Sequence, residues 1–195
     1  MFSVNIDKLV ATTPAQEKAY KELCNRVLAK GRKYKTLAVI GESGYALRLA
    51  AAIVDAGNKV LFVDADVTTP VFMGKYRLGK NLEGLCEYLD GTQDDDKIRC
   101  LTNRSDLNII FSGESSRQTL SRNDEDRLRE FLDNNMDDYD YIILEAGKSA
   151  EVARNCRASL VLIDDSEYNP RDAREKIEFY DNEGCLVLGV VITNV

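Results

Sequence analysis

The sequence predicts an α/β fold, a doubly wound and mainly parallel sheet flanked by helices on both faces. Three observations predict it. Short Val/Ile/Leu runs recur along the chain (TLAVI, KVLFV, YIIL, SLVLI, CLVLGVVI) and are continuous rather than alternating with polar residues, the mark of strands buried on both faces. Helical patterns stand between most of these runs. No Pro/Gly/Ser-rich linker divides the 195 residues, so the expectation is one domain, 1–195, with 1–34 a helical segment packed on it.

The elements follow in order. Thr13-Pro14-Ala15-Gln16 is a helix start, with Thr at the N-cap, Pro at N1 and Gln at N3 closing a capping box, and the helix should run from Pro14 to Lys30. Gly31 is expected to end it as an αL residue. Thr36–Ile40 reads as a buried strand, and Tyr45–Ala56, rich in Ala and Leu and ended by Gly57, as the next helix. Lys59–Val63 is a strand that delivers Asp64, Ala65 and Asp66 at its carboxyl end, with Pro70 closing the turn.

The stretch Val71–Asp96 is less regular, with a short helix across Leu82–Leu89 and a turn at Asp90-Gly91. Lys97–Leu101 and Leu107–Phe111 read as strands. A helix should span Asn123–Asn134 with Leu128, Phe131 and Leu132 as its apolar stripe. Tyr141–Leu144 is a strand ending at Glu145, Ser159–Ile163 another, Pro170–Tyr180 a helix opened by Asn169-Pro170, and Cys185–Ile192 the last strand.

Composition narrows the chemistry. The net charge is −7 with no Lys/Arg stripe, which argues against a nucleic-acid partner. Met1–Thr13 has no apolar core of signal-peptide length and no apolar run can span a bilayer, so direct membrane insertion is not expected and the chain reads as cytoplasmic. The five cysteines, Cys24, Cys86, Cys100, Cys156 and Cys185, show no CxxC spacing and read as reduced, mostly buried thiols. Histidine is absent, which excludes Ser-His and Cys-His nucleophile pairs and imidazole metal sites.

In open α/β sheets ligands bind beyond the carboxyl ends of the strands, which gathers Gly41–Gly44, Asp64, Asp66 and Glu145 at one edge. The loop Gly41-Glu42-Ser43-Gly44-Tyr45 stands where a phosphate cradle would, at the start of a helix whose free N–H groups favour an anion. A working cradle of the form G-x-x-x-x-G-K-S/T wraps phosphates in backbone amides, neutralises them with Lys and offers a hydroxyl to Mg²⁺. This loop is shorter and lacks both the Lys and the hydroxyl after it, and Glu42 puts a negative charge where phosphates would lie. The plain alternative is a tight strand-to-helix turn. Asp64, twenty residues after Gly44, imitates a dinucleotide fingerprint, but the G-x-G core is missing.

The order of KTLAVIG, the Ala/Leu-rich helix, KVLFVDADVTTP, NLEGLCEYLDG, LNIIFSG, YDYIILEAG and LVLGVVITNV resembles the bacterial tyrosine kinases and their relatives in exopolysaccharide synthesis, within the MinD/ParA group of P-loop ATPases. The resemblance runs from Gln16 to Val195. It implies that Gly41–Leu47 occupies the Walker A region, Asp64 and Asp66 a second acidic motif, Glu145 the Walker B aspartate position, and that Asn194 belongs to the nucleotide site. It also implies a protein partner, such as a membrane-anchored chain-length or activator protein of polysaccharide assembly.

Departures accompany the match. Tyr45 follows the last loop glycine, Glu145 replaces Asp, Gly147-Lys148 replaces a proline pair, and Thr68 stands where the DADxRxP pattern has Arg. Lys18, Lys21 and Cys24 occupy the positions of the E-x-x-R-x-x-R pattern used for ring assembly, so the family's closed ring is not expected. Asp64, Asp66 and Glu145 are the candidates for a weak Mg²⁺ site and for catalysis if the chain is active; strand-end residues without a metal are the alternative. The sequence therefore leads to a non-catalytic relative with no cofactor. The competing reading is an active Mg-ATP-dependent enzyme that compensates with Lys35, Arg48 or Lys148.

Overall fold

The computed structural model describes residues 2–69, 82–114 and 117–193. They form one eight-stranded sheet of order β1-β4-β5-β3-β6-β2-β7-β8, made of β1 (Phe2–Val4), β2 (Thr36–Ile40), β3 (Val60–Asp64), β4 (Cys100–Thr102), β5 (Leu107–Ile110), β6 (Tyr141–Gly147), β7 (Ala158–Asp164) and β8 (Val187–Thr193). Every neighbouring pair is parallel except β4 with β5. The mainly parallel sheet is thus as the apolar runs require.

Helices cover both faces. α1 (Pro14–Ala29) and α2 (Tyr45–Asp55) lie on one face, where Cys24, Val27, Leu47 and Ile53 pack with Leu37, Val39 and Phe62. The other face carries α3 (Leu85–Leu89), α4 (Asp95–Ile98), α5 (Arg122–Asn135), α6 (Ala150–Ala153) and α7 (Pro170–Asn182), where Leu128, Phe131 and Leu132 meet Leu61, Val63 and Ile142. Odd and even residues of β2 and β3 thereby enter opposite cores, which is why both strands read as unbroken apolar runs. Each fully buried large side chain, such as Phe62 or Leu61, contributes about 1.5–3 kcal/mol. All five cysteines are buried thiols.

Differences from the sequence reading have local causes. β1 was not foreseen, because three residues are too few to show a period; it pairs with β4. Lys97 and Ile98 are helical rather than extended: the α4 turn buries Ile98 and brings Arg99 onto Asp95 and onto Asn135 of α5, so the strand starts at Cys100. The helix expected from Leu82 begins at Leu85, after Gly84 donates its N–H to Glu87 at 2.7 Å. Gly31 has φ 86° but an extended ψ of 165°, so it opens a 3₁₀ turn at Arg32–Tyr34 instead of closing α1 in αL. α6 is one turn, capped by Ser149, that periodicity could not reveal. Pro70 and the segment 71–81 lie outside the described residues.

Candidate functional site

The loop between β2 and α2 sits at the carboxyl edge of the sheet. Gly41 has φ 137° and donates its N–H to Gly147 O at 2.7 Å; a Cβ there would lie 2.7 Å from the Cβ of Leu162, so only glycine passes. Gly44 is the N-cap of α2, with φ 90° and no side chain to satisfy the helix start. Its N–H donates instead to Oε2 of Glu145 at 2.8 Å. A negative carboxylate therefore lies at the positive end of the α2 dipole.

Glu145 reaches that place because β6 lies between β3 and β2. It pairs with Asp64 in register on one side and with Val39 on the other, and its own carbonyl accepts from Ala65 N–H at 2.9 Å. Asp64 is 0% and Glu145 1% exposed. Asp66 is turned to other work: its Oδ1 accepts from the Thr68 hydroxyl at 2.5 Å and from Thr68 N–H at 3.3 Å. Its carboxyl also presses on Gly147, where φ is 56° and an added Cβ would come 2.8 Å from Asp66 Cγ.

Among the described residues no group of three or more His, Cys, Asp or Glu is arranged to hold a metal ion. Asp64 and Glu145 are buried and do not line the cleft beside the loop. That cleft has a volume of about 720 Å³, and Gly41, Glu42, Ser43, Asp66 and Lys148 are in its wall. Tyr45 faces away from it, into an apolar cavity of about 380 Å³ between α1, α2 and the ends of β7 and β8. Asn194 lies outside the described residues.

Of the three cations that could replace a phosphate-binding Lys, only Lys148 borders the cleft. Lys35 lies at the opposite end of β2 and donates to Met136 O. Arg48 faces α1, beside Tyr20, whose hydroxyl is pushed up to about 12 by burial, with Arg48 drawing it partly back. The sequence reading missed Gln118, Thr119, Ser149 and Glu151 in the cleft wall. Ser149 carried a readable signal, as an N-cap before Ala150 whose hydroxyl accepts from Val152 N–H. On α1, Lys18 and Lys21 are exposed while Cys24 is buried with its thiol on Ala52 O, so the three positions offer no common surface.

No protein-family model matches the chain. Tyrosine-protein kinase CpsD of Streptococcus pneumoniae is 26% identical over 191 residues, covering 92% of this chain and 84% of CpsD. The kinase domain of the Escherichia coli tyrosine kinase ETK superposes with a TM-score of 0.77 at 22% identity, covering 92% of this chain and 75% of that one. The cell division ATPase MinD of Pyrococcus furiosus gives 0.60 at 17% identity, over 82% and 71%. In sequence the chain is thus similar to the bacterial tyrosine kinases, and its fold is similar to that of the ETK kinase domain and of MinD.

Proposed function

We propose that this chain is a non-catalytic relative of the bacterial tyrosine kinases that acts by surface recognition, as a regulatory or scaffolding partner in envelope polysaccharide assembly. One observation carries the reading: Glu145 places its own carboxylate on the α2 N-terminus, at the amide a phosphate would need. Phosphoryl transfer is positioning and charge stabilisation, and here the loop segment Gly41–Tyr45 contains no Lys or Arg while Glu42 adds negative charge. Mg-ATP does not fit these residues. The partner is a protein, of which a membrane-anchored chain-length or activator protein is the kind the resemblance suggests.

The competing reading, an active enzyme with an atypical loop, draws on Lys148 at the open cleft. Calorimetric titration separates the two. Mg-ATP and Mg-ADP are expected not to bind usefully; a dissociation constant of roughly micromolar order, or a rise of several degrees in melting temperature at saturating nucleotide, overturns the proposal. In the native host, Asp64→Asn with Asp66→Asn and Glu145→Gln should leave polysaccharide output nearly intact. Lost output from a folded triple variant revives the catalytic reading.

A further inference from the structure

Arg48 is the one cation of α2, and the cleft does not use it. It is half-buried, and among the described residues no Asp or Glu pairs with it. Its side chain folds back along the helix, so that Nη1 stands 3.4 Å from where a Cβ on Gly44 would lie. A guanidinium therefore rests on the first turn of α2, the positive end of the helix dipole. Glu145 takes the Gly44 N–H but does not line the pocket that Arg48 faces. That pocket, of about 370 Å³, lies between α1, α2 and the segment before α1, and falls within the roughly 300–1,000 Å³ usual for small-molecule sites.

Two donors in its wall lack an acceptor. Arg48 Nε and the Tyr20 hydroxyl are buried with no hydrogen-bond partner among the described residues. Each has a proton to donate, and a buried donor left unpaired is destabilising. The charge in the wall has the matching sign. Lys21, Arg48 and Arg104 stand against Glu17 and Asp55, and Arg104 holds Asp55 at 2.8 Å, so Lys21 and Arg48 are left against Glu17 alone. The excess is one positive charge. Val10, Ala51 and Ala52 supply an apolar part of the wall.

We propose that this pocket is a binding site for a small monocarboxylate, whose carboxylate meets Arg48 and the Tyr20 hydroxyl while its apolar body lies on Val10, Ala51 and Ala52. The guanidinium and the phenol both donate, which selects an acceptor, and a planar fork suits a carboxylate. One positive charge in excess selects a single negative charge; a doubly charged phosphate ester would leave the pocket negative, and a neutral ligand would leave Arg48 uncompensated. Tyr20 belongs to α1 and Arg48 to α2, so the ligand ties the two helices together. The site is separate from the cleft, which none of these residues lines.

The test is an amide NMR titration of the chain with benzoate and hexanoate, with benzamide and inorganic phosphate as the contrasting arms. Both acids are expected to shift the amides of Tyr20, Lys21, Arg48 and Ala52 saturably, with dissociation constants of roughly millimolar order or tighter. Benzamide keeps the ring and loses the charge, and should bind about tenfold more weakly or worse. Arg48→Gln should weaken benzoate by about tenfold or more and leave benzamide unchanged, with the circular dichroism spectrum intact. The proposal is overturned if neither acid saturates, if benzamide matches benzoate, or if phosphate shifts the same amides at lower concentration, which would mark a general anion site. A folded Arg48→Gln chain that binds benzoate as the parent does overturns it too. If Arg48→Gln does not fold, benzoate against benzamide on the parent chain decides alone. Neither outcome depends on whether the cleft takes nucleotide.

Discussion

The two helices on one face of the sheet, α1 and α2, begin in opposite ways. α1 caps itself: Thr13 Oγ1 accepts from Gln16 N–H at 3.3 Å and Gln16 Oε1 accepts from Thr13 N–H at 3.0 Å. α2 starts at a glycine and takes its cap from Glu145, 101 residues away. A local cap stabilises one helix and nothing else. A cap drawn from the middle of the sheet ties the helix start to β6, and it fills a place that would otherwise attract an anion.

The largest effect should come from breaking the distant cap. Glu145→Ala leaves the Gly44 N–H without its acceptor and removes the charge at the α2 dipole, so urea unfolding should show a loss of about 2–3 kcal/mol. Glu145→Gln, which keeps an oxygen acceptor, should lose about 1 kcal/mol. If Glu145→Ala is as stable as the parent chain, α2 does not depend on β6 and the contrast disappears.

The local cap should weigh less. Thr13→Ala is expected to cost about 1 kcal/mol, read from the same titration, and Thr13→Ser almost nothing. The difference between the two caps is also the difference in what could be read from the chain. A capping box needs only four consecutive residues, and T-P-A-Q shows it. No spacing in the sequence connects Gly44 to Glu145, because their proximity is set by β6 lying beside β2.

The seam between the two helices gives a smaller, pH-dependent effect. Burial raises the Tyr20 hydroxyl from 10.0 to about 12, so the folded state holds that proton more tightly than the unfolded chain does. Stability from this group is complete below pH 10 and is lost as pH rises towards 12. Tyr20→Phe should flatten the alkaline limb of the melting-temperature profile; an unchanged slope refutes the assignment.

The smallest expected change tests the opposite face as a control. The Arg154 guanidinium donates two hydrogen bonds to Glu125 and, opposing the effect of burial, holds that carboxyl below its usual range. The group contributes above the ordinary Glu value and loses its contribution as pH falls through the lowered one. Arg154→Ala should therefore shallow the acid limb while leaving the Tyr20 limb untouched.

The sequence by itself determined the sheet and most of its strands, because a strand buried on both faces has to be an unbroken apolar run and β2, β3, β6 and β7 are written that way. It determined α1, α2, α5 and α7 through caps and stripes three or four residues apart. It also brought the loop and the acidic strand ends to one edge, since parallel strands put their carboxyl ends together. The tertiary structure decided what those residues do to one another: that Glu145 occupies the α2 N-terminus, that Asp66 is braced on Gly147, that Lys148 rather than Lys35 or Arg48 borders the cleft, and that β8 stands last in the strand order. Each of these depends on strand order and on contacts between residues far apart in the chain, and neither leaves a periodicity for local chemistry to read.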